Sequence, residues 1–150
     1  MPDKGIIMVI RYDLSNITFE DIKADIEGDT TVLIQDIAIG ITNTLRGNAP
    51  IGTPILTGWA ANNWIPAIQN PPNEPYGERP PEGKKFTDSS ASDAGIAALL
   101  TWELGQGTVF VVNNVPYIES LNQGHSKQSP AGFVENAIDG VLDKVVYRKR

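Results

Sequence analysis

The stretch 113–133 constrains the fold most, because it places a strand end, a short helix and the start of a second helix within a few residues. The run 108–112 before it is β-branched and aromatic and is closed by two asparagines, which is typical of a buried strand that meets a turn. Pro116 suits the first position of a helix, where its missing N–H costs nothing. Gly124 is able to take the positive φ that ends such a helix. The chain is therefore predicted to reverse here for local reasons.

The end of this stretch predicts the start of a second helix. Ser129 and Pro130 offer an N-cap hydroxyl followed by proline at the first helical position, and apolar residues recur every four positions from Phe133 onward. Tyr117 and Leu121 are four residues apart, so they lie on one face of the first helix. We expect Tyr117, Leu121 and Phe133 to pack together beneath the turn. Six polar residues should then form an exposed rim within reach of a partner subunit: Glu119, Gln123, His125, Ser126, Lys127 and Gln128.

A long helix is predicted near the start of the chain. Thr18 is able to cap it, its first turn is acidic, and apolar residues stay on one helical face as far as Gly47. A continuous helix over this span is roughly 40 Å long at about 1.5 Å per residue. Gly28 and its polar neighbours weaken the middle and favour a kink or break there. The apolar face predicts packing within the subunit, with a seam between subunits as the alternative.

The segment 53–68 is interpreted as a turn that brings the chain back onto this helix. Thr57 and Gly58 are able to reverse the chain, and Trp64 is expected to pack onto the helix. Trp59 and Trp64 are interpreted as core residues and not as a ligand-stacking pair, because no basic residue lies near them in the sequence.

The region 70–93 differs abruptly in composition from the rest of the chain. Its five prolines, two glycines and mixed charges leave almost nothing to bury. We expect a long exposed loop that is mobile in the free subunit and ordered by neighbours, with an inert surface loop as the alternative. A helix is predicted over 93–104, and a strand or extended arm over 5–12.

Together these elements predict a single domain over residues 1–150 with an α+β fold. It combines a long N-terminal α-helix, a small β-sheet, a C-terminal helix packed on the sheet, and a long exposed loop. The chain has 150 residues, of which 41% are hydrophobic, and this suffices for one core. It contains no cysteine, so disulfides and thiolate metal sites are excluded, and its apolar runs are too short for a signal peptide or a membrane span. We therefore expect a soluble, unprocessed protein.

Charge and side-chain chemistry argue against two classes of function. A formal net charge of −6 and a pI near 4.7 disfavour a general nucleic-acid-binding surface. His125 and Ser126 are the only candidate base and nucleophile, and no Gly-x-Ser-x-Gly elbow is present. We therefore predict that the protein is not an enzyme and has no catalytic residues, metal or cofactor. A small hydrolase that uses Ser126, and an unrelated small α+β binding module, are the alternatives.

Two blocks of the sequence resemble the signature of tail-completion (neck) proteins of long-tailed bacteriophages. One block is 53–64, which contains Thr-Pro, Thr-Gly and Asn-Trp pairs. The other consists of four pieces near the C-terminus: 108–117, Leu121, 124–128 and 130–134. Leu56 stands where that family usually has an acidic residue, and Asn122 stands where it often has glutamate.

The resemblance implies a structural protein of the phage virion that forms a ring at the head–tail junction, as a neck, tail-completion or tail-terminator protein. Such a ring joins tail to head and leaves a channel for DNA, which is only passing cargo. The implied partners are further copies in a cyclic homo-oligomer, most simply a hexamer, and the neighbouring connector and tail tube or sheath proteins, with no membrane. Assembly is expected in the cytoplasm of the bacterial host. The structural and interface candidates are Thr57, Gly58, Trp59, Trp64, Tyr117, Glu119, Leu121, Gly124, His125, Ser126, Lys127, Gln128, Pro130 and Phe133.

Overall fold

The computed structural model of the protein describes residues 18–148, with side chains described as far as residue 145. The predicted strand or arm over 5–12 lies outside the described residues. The elements in chain order are α1 (Phe19–Arg46), a 3₁₀ turn (Ala61–Asn63), β1 (Ile65–Ile68), α2 (Ser90–Leu100), β2 (Val109–Val112), α3 (Ile118–Asn122) and α4 (Phe133–Arg148).

The predicted fold class is confirmed, since a long N-terminal helix, a small antiparallel sheet and a C-terminal helix form one α+β domain. In the sheet, β1 and β2 pair antiparallel with Ile65 opposite Val112 and Ile68 opposite Val109. Helices α1 and α4 pack against each other, and α2 packs against β1. The approach of α2 is so close that a Cβ at Gly95 would collide with the carbonyl oxygen of Pro66. Glycine is therefore required where the helix meets the strand.

Helix α1 is a single unbroken helix of 28 residues, about 42 Å long. Its N-terminus carries a full capping box, in which Thr18 Oγ1 accepts from the backbone N–H of Asp21 and the Asp21 carboxylate accepts the backbone N–H of Thr18. The Asp21 carboxylate accepts hydrogen bonds from both the backbone N–H and the hydroxyl of Thr18, and these lower the pKa of Asp21 below its usual value. The helix continues through Gly28, so the break that the sequence favoured is not found. Its cap and its length outweigh the propensity of one glycine.

The two halves of α1 differ in what covers them. In the second half Ala38, Thr42 and Leu45 are buried, as the prediction of packing within the subunit requires. Residues 19–29, which we call the α1 arm, are all exposed, including Phe19 at 76% and Ile26 at 62%. The interpretation of the apolar face as intrasubunit core is therefore wrong for the arm. Packing decides this, since a helical pattern looks the same whichever molecule covers it.

The core joins α1, β1 and α4 around Phe133. Leu45, Trp64, Phe133 and Ala137 are all buried and form one cluster, which confirms that Trp64 packs onto the long helix. The indole N–H of Trp64 donates to Thr53 Oγ1 at 2.7 Å, and that hydroxyl donates to the carbonyl oxygen of Leu45 at 2.7 Å. The cluster therefore has its polar atoms paired as well as its apolar surface buried.

Helix α2 is shifted towards the N-terminus from the predicted 93–104. Ser89 Oγ donates to the Asp93 carboxylate at 2.6 Å, and Arg46 donates to the same group at 2.9 Å. The hydrogen bonds from Ser89 and then Arg46 lower the pKa of Asp93. The helix ends at Leu100 because Trp102 turns into the body, where its indole N–H donates to the Gly107 carbonyl oxygen.

Replacing Phe133 by alanine should lower the free energy of unfolding by about 3–5 kcal/mol, since the ring is 1% exposed and its removal leaves a cavity. The matched control is Phe19→Ala on the α1 arm, which should change stability by less than about 0.5 kcal/mol because that ring is exposed. Denaturant unfolding of both variants checks this. Similar destabilisation by the two changes would contradict the division of α1 into a packed half and a free arm.

Candidate interaction site

The turn at Thr57 and Gly58 holds the start of the exposed region. Gly58 has φ +91°, as the predicted chain reversal requires, and a Cβ at this position would lie 2.7 Å from the carbonyl oxygen of Phe86. The backbone N–H of Phe86 donates to the Thr57 carbonyl oxygen at 2.8 Å. The amide of Asn62 donates to the carbonyl oxygens of both Gly58 and Phe86. The turn therefore acts as the anchor of the loop that follows.

A second anchor holds the loop 70–93 at Tyr76. The backbone N–H of Tyr76 donates to Asn63 Oδ1 at 2.6 Å, and its carbonyl oxygen accepts from the Trp59 indole and the Asn63 amide. The rings of Tyr76 and Phe86 meet edge to face with centroids 6.3 Å apart. The prediction that the loop has almost nothing to bury is wrong at these two aromatics, which are half-buried. Mobility of the loop stays a prediction, and it now concerns the segment 77–85 between the anchors.

The two helices around the predicted turn are joined by Asn122. Its side-chain oxygen accepts the backbone N–H of Val134 at 3.0 Å, and its side-chain amide donates to the Glu135 carboxylate at 2.9 and 3.0 Å. The backbone carbonyl oxygen of Asn122 accepts the backbone N–H of Gly132. Asn122 therefore caps α4 from the end of α3. A glutamate at this position would instead bring a second carboxylate against Glu135. Asparagine therefore suits this position, because its amide donates to the Glu135 carboxylate.

The predicted cap at Ser129 is not found. Helix α4 begins at Phe133, three residues after Pro130, and Ser129 Oγ instead donates to the carbonyl oxygen of Gly52 at 2.8 Å. Pro130 is exposed. The prediction failed because the Ser129 hydroxyl donates to a buried carbonyl oxygen distant in the sequence, and Asn122 caps α4 instead.

The expected packing of Tyr117, Leu121 and Phe133 is partly wrong. Tyr117 packs against the buried cluster of Trp59, Ala60 and Val115, and Phe133 belongs to the separate cluster around Leu45. Leu121 contacts both clusters, so it joins the two cores beneath the turn. The short helix α3 presents its residues to two different neighbours, and spacing within one helix does not reveal this.

The turn itself is close to the prediction. Gly124 has φ +91°, and a Cβ there would lie 3.1 Å from the Cβ of Ala131. Five of the six predicted rim residues are exposed, namely Glu119, Gln123, His125, Lys127 and Gln128. The sixth, Ser126, is half-buried. Gln128 is fixed all the same, because its side-chain amide exchanges two hydrogen bonds with the backbone of Ile55, at 2.8 and 3.1 Å.

His125 and Ser126 do not form the pair that the hydrolase alternative requires. His125 Nδ1 lies 2.5 Å from Ser120 Oγ, while Ser126 Oγ accepts the backbone N–H of Gln128 at 3.1 Å. Within the described part of the chain no group of three His, Cys, Asp or Glu side chains is placed to hold a metal ion. The described helices also include none that is long and apolar enough to cross a membrane.

An open cleft lies between the loop segment 77–85 and the turn at His125. It consists of two adjoining hollows of about 800 and 460 Å³ that share Leu56, Thr57 and Arg79, and we call it the Arg79 cleft. Its remaining lining residues come from the loop, the turn and the core edge: Pro54, Gly58, Ala60, Pro80, Pro81, Glu82, Gly83, Lys84, Lys85, Tyr117, Leu121, His125, Ser126 and Gln128. Seven of the predicted interface residues therefore meet at one surface, namely Thr57, Gly58, Tyr117, Leu121, His125, Ser126 and Gln128.

The Arg79 cleft is cationic with an apolar floor. The Arg79 guanidinium lies 5.7 Å from the centroid of the Tyr117 ring, a cation–π distance, and Lys85 Nζ donates to the Leu56 carbonyl oxygen at 2.8 Å. The lining holds three cationic residues against one acid, Glu82, in a chain whose formal net charge is −6. Leu56 is 82% exposed at this surface. Such a combination favours an acidic ligand that also carries apolar side chains.

Comparison with known proteins adds no further assignment, because no protein-family model, curated protein or solved structure matches this chain.

Sequence reasoning did not name the cleft residues Leu56, Arg79, Lys84 and Lys85 as interface residues, and it also missed the two loop anchors Tyr76 and Phe86. Tyr76 and Phe86 are the two aromatics of the region 70–93, and this signal could have indicated the anchors. Nothing in the sequence placed Arg79 over Tyr117.

Replacing Asn122 by alanine should lower the free energy of unfolding by about 1–2 kcal/mol, since it removes the cap of α4. Gln123→Ala is the control, because that exposed neighbour makes only a 3.5 Å side-chain contact. Equal unfolding of the two variants would contradict the capping role.

The effect of Asn122→Ala should also depend on pH. Its hydrogen bonds are the main cause that lowers the pKa of Glu135, so the stabilisation is present above the usual carboxyl pKa of about 4.3 and is lost as the pH falls through the lowered value. The difference in unfolding free energy between wild type and Asn122→Ala should therefore be larger at pH 7 than well below pH 4, and urea unfolding at both pH values checks it. A difference that grows on acidification would contradict this role.

Proposed function

We propose that the protein is a structural subunit of a tailed bacteriophage that assembles with further copies into a ring at the head–tail junction, where it joins tail to head. The observation that carries this proposal is the α1 arm, which extends an apolar stripe that no other described residue covers. The resemblance of the blocks 53–64 and 108–134 to phage neck proteins supplies the biological setting. The neighbouring connector and tail proteins are its further partners in this proposal.

The α1 arm is poorly explained in a protein that works alone. Phe19, Ile22 and Ile26 lie on one helical face and are between 50% and 76% exposed. Helices shorter than about 12–15 residues are marginal in water and depend on packing of their apolar face. An exposed stripe of this kind on a projecting helix is typical of a surface that a partner covers.

The different positions of the α1 arm and the Arg79 cleft support a closed ring. The arm lies at the N-terminal end of α1, whereas the Arg79 cleft is built from the chain that follows the C-terminal end. Two different surfaces at opposite ends favour head-to-tail contacts, which close into rings when the rotation allows it. Six copies is the expectation that the resemblance supplies. A net charge of −6 suits a channel that lets DNA pass without binding it.

The test compares the mass of assemblies formed by wild type and by the double variant Ile22→Asp with Ile26→Asp. Native mass spectrometry and electron microscopy over a range of concentrations should show closed rings for wild type, most simply hexamers. The double variant should stay monomeric with an unchanged melting temperature, because both side chains are exposed in the subunit. A wild-type protein that stays monomeric even with purified tails or connectors present would contradict the proposal.

A further inference from the structure

We infer that the α1 arm of one subunit seats in the Arg79 cleft of the next copy, with its apolar stripe on the Leu56 and Tyr117 floor and its carboxylates against the loop cations. This inference rests on the proposed function in one respect, that copies of the chain associate. It goes further by assigning the two surfaces that meet and the charges that orient them.

Charge complementarity is the first support. The α1 arm carries five carboxylates and one lysine, a formal charge of −4 over residues 19–29. Helical spacing places Asp25 and Asp29 three residues after Ile22 and Ile26, along one border of the apolar stripe. The lining of the Arg79 cleft has the opposite excess, with three cations and one acid. Opposite potentials of this kind steer association and fix its register.

The apolar surfaces are complementary as well. Leu56, which lines the cleft, is 82% exposed, while Phe19, Ile22 and Ile26 are exposed on the arm. Both partners therefore present apolar side chains to water in the single subunit, and both would lose that exposure on docking. Burial of apolar area supplies the affinity, and the surrounding charges supply the orientation.

The arm cannot reach the cleft of its own subunit. Helix α1 is unbroken, and residues that line the cleft begin at Pro54, after the C-terminal end of the helix. Thr53, the neighbour of the cleft residue Pro54, hydrogen-bonds the carbonyl oxygen of Leu45, so this edge of the cleft lies beside the C-terminal end of α1. Asp29, the last residue of the arm, is about 24 Å from Leu45 along the helix at about 1.5 Å per residue. An arm that binds in the cleft therefore comes from a second copy.

A second groove competes for the arm but fits it less well. This groove of about 330 Å³ lies between α1, β2 and α4, and all of its lining residues are apolar, among them Ile37, Val109 and Ile138. It offers no cation to the carboxylates of the arm. Seating the arm there would bring Asp25 and Asp29 against an apolar rim without charge partners, which is unfavourable.

Cross-linking provides a direct test, because the chain contains no cysteine and an introduced pair is the only reactive pair. The full-length variant Ile22→Cys with Lys84→Cys, treated with a short bismaleimide, should give a ladder of covalent oligomers up to the size of the ring. The control Ile22→Cys with Leu100→Cys pairs the arm with an exposed position on α2 and should give no ladder. The variant Ile22→Cys with Ile138→Cys pairs the arm with the second groove. A ladder from this variant, together with none from Ile22→Cys with Lys84→Cys, would overturn the inference.

A charge exchange tests the electrostatic part. Asp25→Lys and Lys84→Glu should each weaken assembly by roughly two- to fivefold in apparent Kd, and the double variant should recover most of the loss. The effect should shrink at 1 M salt, where the Debye length is about 3 Å. Rings that form normally in both single variants, and that do not cross-link between arm and cleft, would overturn the docking site but leave the proposed ring standing. Failure of the wild type to assemble at all would instead overturn both.

Discussion

The rest of the structure depends on the hydroxyl of Thr53, which connects the C-terminal end of α1 to Trp64 by hydrogen bonds. It is fully buried, donates to the carbonyl oxygen of Leu45 at the end of α1, and accepts the indole N–H of Trp64. The backbone N–H of Thr53 donates to the same Leu45 carbonyl oxygen at 3.0 Å. One residue thus satisfies a carbonyl in the last turn of the helix, sets the direction of the segment that follows, and orients Trp64 towards Phe133. The Thr57 and Gly58 turn, and with it the Arg79 cleft, takes its position from this connection.

The residues that stabilise the subunit are different from those that are proposed to join subunits. The cores around Phe133 and Trp59 use the second half of α1, the sheet, α3 and the start of α4, and none of them uses the α1 arm. The arm can therefore carry exposed apolar residues and a strong negative charge without weakening the fold. This division permits a subunit that folds first and associates afterwards, as the proposed assembly requires.

The sequence predicted those elements that short-range rules determine. The long helix, the strand 108–112 to within one residue, and the chain reversals at Gly58 and Gly124 follow from capping, β-branching and glycine geometry. The predicted short helix is found, but it begins at Ile118, so Pro116 does not hold its first position. The errors lie where distant partners compete. Ser129 bonds a carbonyl 77 residues away, and the cap of α4 comes from α3, so neither could be read locally. Exposure of the arm is likewise a tertiary property, since periodicity does not say which molecule covers a face.

Hydrogen exchange of the backbone amides measures the central claim, that the arm is free in the subunit and covered by a neighbour's cleft after assembly. In dilute subunits residues 19–29 should exchange quickly while the second half of α1 is protected, because the arm belongs to neither buried cluster of the described residues. In assembled rings the arm and the loop segment 77–85 should gain protection together, while α2 should not change. Protection of the arm already in the dilute monomer, or its gain on assembly without any change in the loop, would contradict the proposed contact.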